Sequence, residues 1–414
     1  MRTTQAPLLT RIGGVSDDGA VRSADRSRDL HLASAGELLE LVRTDRATTR
    51  ADLRRLTGMS RTAVVSRVSA LADAGLLLLG EELASTGGRP PGGLVFNRDA
   101  GVVLAAAIGR SRSQLAVFDL LGDELGASAV GHAVGAGPDA VMPPVAEHLA
   151  ALVTEVGRPV LGIGLSLPGT VDPARGVSVD SPVMAGWDGV ELGPYLAGLG
   201  DVPLFVGNDA DVLARSEWRG HAATYDDLLV VKASTGLGLG IVAGGRVVLG
   251  HLGGAGEIGH TKVDAADGRA CRCGDTGCLE TLAGGWALVA RLQEAGRTVE
   301  HVRELVALAV GGDPEAKQLL RESGRQLGEV LAVAINLLNP EAVVIGGDMG
   351  AAFDVYAAGV RESVYARASA LATRDLQVLP ATHGDRAGVV GCAAMALDRV
   401  LSPAAIDAML GSRS

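Results

Sequence analysis

Two short runs decide the reading of this chain: Glu257-Ile-Gly-His260, and then Cys271-Arg-Cys273-Gly-Asp-Thr-Gly-Cys278-Leu-Glu280. They gather three of the chain's four cysteines into eight residues and set one histidine just upstream. Three thiolates and an imidazole make a Cys3His set suited to tetrahedral Zn2+, and Gly274 and Gly277 let the backbone fold tightly around a metal. The spacing therefore predicts a structural zinc ion held by His260, Cys271, Cys273 and Cys278. Glu257 and Glu280 flank these ligands as candidate substrate contacts. Cys392 stands apart in an apolar run and reads as a packed helix residue.

Composition sets the frame. A chain of 414 residues, 47% hydrophobic, is long enough for two or three domains with sizeable cores. No run of about 18 apolar residues occurs and the first 30 residues carry no apolar leader, so the expectation is a cytoplasmic protein with no membrane partner. Clustered cysteines fit a reducing compartment. Charge divides unevenly: residues 1–98 carry +3 and residues 99–414 carry −14 of the net −11. Such a split is compatible with nucleic-acid binding through the N-terminal end alone.

That end reads as a flexible arm over residues 1–30 followed by a winged helix-turn-helix over residues 31–97. Leu38, Leu39, Leu41 and Val42 mark a first helix, Thr49 caps a second, Gly58 suits a left-handed turn, and Ser60 caps a third helix from Arg61 to about Ala74. Val64, Val68 and Leu71 face inward at helical spacing. Ser60, Arg61, Thr62, Ser66 and Arg67 remain as candidate major-groove contacts. Two strand-like runs, Leu76 to Leu79 and Leu94 to Phe96, enclose a Gly/Pro-rich stretch containing Arg89. This is either a wing that places Arg89 in a minor groove or an interdomain linker.

Residues 98–414 alternate strand and helix patterns, which argues α/β architecture. The zinc pattern resembles the signature of the ROK family (repressors, open reading frames and sugar kinases), and further motifs follow in family order: Pro168-Gly169-Thr170, Asn208-Asp209, the glycine-rich run from Ser234 to Gly240, and Val343 to Gly347. The resemblance implies a two-lobed actin-like (ribonuclease H-like) sugar-kinase fold. It implies a monosaccharide or sugar-derivative ligand bound by Asn208, Asp209, Glu257, His260 and Glu280, with Asp209 as catalytic base in a kinase. Thr235, Gly236, Gly238 and Gly240 would form a phosphate loop. The first phosphate loop of the family departs here, with Ala107 at the aspartate position, read as a core strand residue, and Arg110 at the second glycine; ATP and Mg2+ are therefore not expected.

Together these features predict a sugar-responsive transcriptional regulator, most readily a repressor released from operator DNA by its sugar, acting as a homodimer or homotetramer. An ATP-dependent sugar kinase fused to a DNA-binding end is the alternative.

Overall fold

The computed structural model describes residues 33–80, 93–172, 175–179 and 184–412. The expected arm over residues 1–30 and the candidate wing residue Arg89 lie outside the described residues.

Side-chain caps lay out the N-terminal part. Ser34 and Glu37 form a reciprocal capping box that opens α1 (Ala35–Arg43), Thr49 accepts from the Asp52 amide to open α2 (Arg50–Thr57), and Ser60 accepts from the Ala63 amide to open α3 (Arg61–Asp73). Gly58 takes φ 70° between α2 and α3, as a left-handed turn requires. Strands β1 (Leu77–Leu79) and β2 (Leu94–Phe96) pair antiparallel, Leu78 opposite Val95. Arg61, Thr62 and Ser66 are exposed on α3, while Val64, Val68 and Leu71 are fully buried. Arg67 differs from expectation: it is half-buried, and with Ser66 it borders a groove against Asp407 and Leu410 at the C-terminal end of the chain.

The rest of the chain repeats one topology twice. In the first lobe β3 (Val102–Ile108), β4 (Arg112–Asp119) and β5 (Glu124–Gly131) form an antiparallel meander. Helix α4 (Pro138–Val156) then crosses to β6 (Val160–Leu167), parallel to β3. A short hairpin, β7 (Val171–Asp172) with β8 (Val177–Ser178), and the one-turn α5 (Gly193–Leu196) lead to β9 (Leu204–Asn208), parallel to β6. The sheet order is β5-β4-β3-β6-β9. Helix α6 (Asp209–Glu217) leaves β9 and leads to the second lobe. There β10 (Leu228–Ala233), β11 (Leu237–Ala243) and β12 (Arg246–Val247) again form a meander. The short α7 (Glu280–Ala283), α8 (Gly285–Glu294), α9 (Val302–Val310) and α10 (Pro314–Leu338) precede β13 (Ala342–Gly346), and α11 (Phe353–Arg367) precedes β14 (Gln377–Pro380). The order β12-β11-β10-β13-β14 reproduces the first sheet strand for strand. Two such lobes facing each other are the actin-like, ribonuclease H-like fold.

Helix α10 begins where Asp313 caps it and Pro314 opens it. Gly324 is a contact residue, since a Cβ there would lie 2.3 Å from the Tyr356 carbonyl oxygen on α11.

The last two helices tie the parts together. Helix α12 (Ala387–Val400) lies on β3 and β6 and against α6, burying Val389, Cys392, Ala393, Ala396 and Leu397. Helix α13 (Pro403–Gly411) then leaves the sugar-kinase-like part and docks on α1. Asp407 Oδ1 accepts from the Gly36 amide at 2.9 Å, Ile406 is 2% exposed, and a Cβ on Gly36 would meet the Pro403 carbonyl oxygen at 2.2 Å. One apolar core consequently runs from Leu38, Leu53 and Leu71 of the N-terminal helices through Phe96 to Val103, Cys392 and Ile406. Fully burying each large apolar side chain in it is worth about 1.5–3 kcal/mol. Among the described residues no single helix is long and apolar enough to cross a membrane.

Candidate functional site

Between the lobes lies a cleft of about 910 Å3. Its walls come from the places where strands end: the β3–β4 turn, the β6 end at Ser166 to Gly169, the β9–α6 junction, the β10–β11 turn, the β13 end and the N-terminus of α12. Strand ends are where loop chemistry can vary without disturbing a sheet.

Asn208 and Asp209 sit on that junction. Asn208 caps α6: its Oδ1 accepts from the Ala210 amide at 2.7 Å and its Nδ2 donates to the Gly169 carbonyl at 2.7 Å. Its amide thus pins the Pro168-Gly169-Thr170 loop to the helix. Asp209 borders the cleft and pairs with Lys232 on β10, Nζ to Oδ2 2.8 Å. Burial pulls the Lys232 ammonium down, but the Asp209 carboxylate beside it, together with Asp348 and Glu280, more than compensates and leaves it raised. Lys232 was not singled out from the sequence. A signal existed: it is one of only three lysines in a chain with 34 arginines, placed inside an apolar strand. Two residues along α6, Asp211 is pushed up to about 7 by burial, against the opposing pull of Arg215.

Glu257 precedes a single 3-10 turn, Ile258–His260; Thr170 donates to its Oε1 at 2.9 Å, bridging the two lobes. Glu280 is 5% exposed, and its oxygens accept from Trp286 Nε1 at 2.9 Å and from the Leu237 amide at 3.0 Å. It therefore braces the β10–β11 turn and closes one of the amides that a phosphate would need. Thr235, Gly236 and Gly238 border the cleft as expected of that turn, but Gly240 does not. Gly240 faces α6, where a Cβ would meet the Ala210 carbonyl oxygen and the Ala214 Cβ at 2.6 Å, so its role is close helix packing.

The first expected loop is also corrected in part. Ala107 is half-buried at the cleft, with Gly388 of α12 beside it, so it is a wall residue and not simply core. Arg110 occupies the tip of the β3–β4 hairpin and lines the cleft. Trp187, by contrast, is 1% exposed and bonds the Ala136 carbonyl, away from the cleft.

His260, Cys271, Cys273 and Cys278 converge, with one donor atom from each within 4.8 Å of the others. Cys273 and Cys278 sulfurs lie 3.7 Å apart, and His260 Nδ1 lies 3.8 Å from Cys271 Sγ. Ligands at about 2.3 Å around a tetrahedral ion are ~3.8 Å from one another, so the set can hold a metal ion. Lys262 Nζ stands 3.2 Å from Cys278 Sγ and pairs with Asp275, a cationic neighbour for a thiolate cluster. His260 also lines the cleft, so the metal-facing Nδ1 and the cleft belong to one ring.

Residues 103–399 match the ROK family. The chain belongs to that family. A ROK transcriptional regulator, solved as a homolog of the E. coli MLC protein, superposes with a TM-score of 0.77 at 28% identity, covering 92% of this chain and 98% of its own. The xylose repressor of Bacillus subtilis is 26% identical over 88% of this chain and 94% of itself. A ROK glucokinase from Streptomyces griseus, solved with glucose and AMPPNP, superposes with a TM-score of 0.61 at 28% identity, covering 99% of itself but 72% of this chain.

Proposed function

We propose that this ROK protein is a sugar-responsive transcriptional repressor. The observation that carries the reading is the extent of the likeness: the regulators match 92% and 88% of the chain, whereas the glucokinase matches 72%. The N-terminal three-helix unit is read as a winged helix-turn-helix that contacts operator DNA through Ser60, Arg61, Thr62 and Ser66 of α3, with Arg67 at the flank and Arg89 in the minor groove. The cleft is read as the effector site, with Asp209, Glu257 and His260 toward a monosaccharide or its derivative and Asn208 and Glu280 holding the loops that carry them. Zn2+ is the ion that the Cys3His set suits, and its role is structural. A regulator of this kind works in the cytoplasm, where the DNA is.

Two features argue against efficient phosphoryl transfer. Ala107 supplies no carboxylate at the first loop, and the Asp209 carboxylate already gives one of its two oxygens to an ammonium. Closing the lobes on a ligand would move α12, whose first turn borders the cleft at Gly388, and with it α13, which grips α1. A ligand shifts such an equilibrium only by its preference for one state. The reading also includes a dimer or larger even assembly, since paired heads read paired half-sites. Val333 and Leu337 on the outer face of α10, 58% and 78% exposed, with Leu371 at 69%, offer an apolar surface that a second copy would cover.

The test combines two assays on one preparation. Duplexes selected by repeated binding from a random pool should yield a defined site with dyad symmetry, and coupled-assay turnover with ATP across a monosaccharide panel should stay far below the roughly 1–100 per second of ordinary kinases. Turnover in that range without a selected DNA site would make the chain a kinase.

A further inference from the structure

The cleft holds four arginines, Arg110, Arg112, Arg272 and Arg303, and among the described residues none of them makes an ion pair. Several arginines elsewhere are matched, Arg98 with Asp119, Arg158 with Asp99, Arg297 with Asp313 and Arg367 with Glu329. The contrast is sharpest at Arg110. Its side chain is half-buried at the hairpin tip, and its Nε is shielded from solvent without a hydrogen-bond partner. Arg272, also half-buried, stands near enough to oppose its charge and is itself stacked over the Trp286 ring at 5.3 Å. The carboxylate that faces both, Glu280, has its two oxygens taken by Trp286 and the Leu237 amide. Of the other acids on the walls, Asp209 is paired with Lys232, Glu257 is bonded by Thr170 and Asp348 by Ser234, while Asp385 is exposed at the rim and makes no ion pair with any of the four arginines. A buried guanidinium donor left unbonded beside a second cation is costly, and an anion placed between them satisfies both.

We infer that the effector is an anionic sugar derivative, a phosphate ester of a monosaccharide, whose ring lies toward Asp209, Glu257 and His260 and whose phosphate is held by Arg110 with Arg272. This rests on the reading of the cleft as the effector site and names its ligand class. Arg110 stands where the family's phosphate loop has a glycine, so the side chain takes space near the phosphate position and supplies a fork of donors in place of bare amides. A planar guanidinium bonds two phosphate oxygens at once, which a neutral sugar hydroxyl cannot do.

The test is calorimetric titration of the full chain with glucose, N-acetylglucosamine, xylose, the 6-phosphates of the two hexoses, inorganic phosphate and ATP. The expected result is that at least one hexose 6-phosphate binds at least about tenfold more tightly than its neutral parent, that raising salt erodes the difference, and that Arg110→Ala removes it while Arg110→Lys keeps part of it. Inorganic phosphate should compete weakly. Neutral sugar binding as tightly as its phosphate ester, with Arg110→Ala without effect, would overturn the inference and leave the sugar-sensor reading standing. ATP binding more tightly than any sugar phosphate, in an Arg110-dependent way, would assign the arginines to a nucleotide and overturn it too. A fully folded protein, judged by its melting curve, that binds no sugar and no sugar phosphate would remove both readings together.

Discussion

Gly36→Ala isolates the joint between the C-terminal helix and the DNA-reading unit. The new Cβ would lie 2.2 Å from the Pro403 carbonyl oxygen and 2.5 Å from its Cα, whereas ordinary contact begins near 3.4 Å, so α1 and α13 must part by about 1.2 Å. All the atoms met are backbone, so no side chain can rotate away. Such overpacking costs typically about 1–3 kcal/mol. The same change favours α1 itself by up to about 0.5–1 kcal/mol, because alanine is a better helix former than glycine. Holding α13 in place are chiefly the burial of Ile406, worth about 1.5–3 kcal/mol, and the Asp407 bond to the Gly36 amide, about 1 kcal/mol. The substitution thus removes a large share of the docking energy without weakening the three-helix unit. The expected outcome is operator affinity within about threefold of wild type in the absence of effector, with the effector's influence on that affinity cut from an ordinary allosteric factor of about 5–150 to less than about threefold. Fluorescence anisotropy with a labelled operator duplex, with and without effector, measures both quantities, and Asp407→Ala should move them the same way with a smaller step. An undiminished effector response in both variants would refute the coupling through α13.

Three further outcomes follow from the geometry. Purified protein should carry one zinc per chain by elemental analysis, and Cys273→Ser should drop below half an equivalent and melt at lower temperature, since zinc binding is folding energy for such a loop. Asp211, pushed up to about 7, keeps its proton in the folded chain where the unfolded chain has lost it, so its contribution to stability is complete below about pH 4, falls as pH rises and is gone above about 7. Between pH 5.5 and 8 wild type should lose about 2 kcal/mol relative to Asp211→Asn in denaturant melts; parallel pH curves would contradict the burial argument. Leu337→Asp, at 78% exposure, should leave the monomer's melting temperature nearly unchanged and shift sedimentation toward monomer.

What the sequence disclosed was mostly local. Thr49, Ser60 and Gly58 announce two helices and the turn between them because caps and left-handed glycines act within three or four residues. The convergence of His260 with Cys271, Cys273 and Cys278 was equally legible, since chelation demands specific atoms at close spacing. Long-range partnerships were not. Asp407 meets Gly36 across 371 positions, and no periodicity in either helix announces the other. Asn208 and Asp209 could be placed at the cleft, yet the occupation of one by backbone and the other by Lys232 depends on how β10 lies beside α6. Gly240 shows the opposite hazard, because a glycine kept for helix packing looks the same in sequence as one kept for a phosphate.

The central claim is that ligand binding in the cleft controls operator binding by the N-terminal helices. Its most direct test is the dissociation constant of wild-type protein for a selected operator duplex, measured at fixed salt with increasing effector. The account predicts a fall in affinity of at least about fivefold that saturates at the concentration where calorimetry shows the cleft filled. An operator affinity that stays constant while the cleft fills would contradict it.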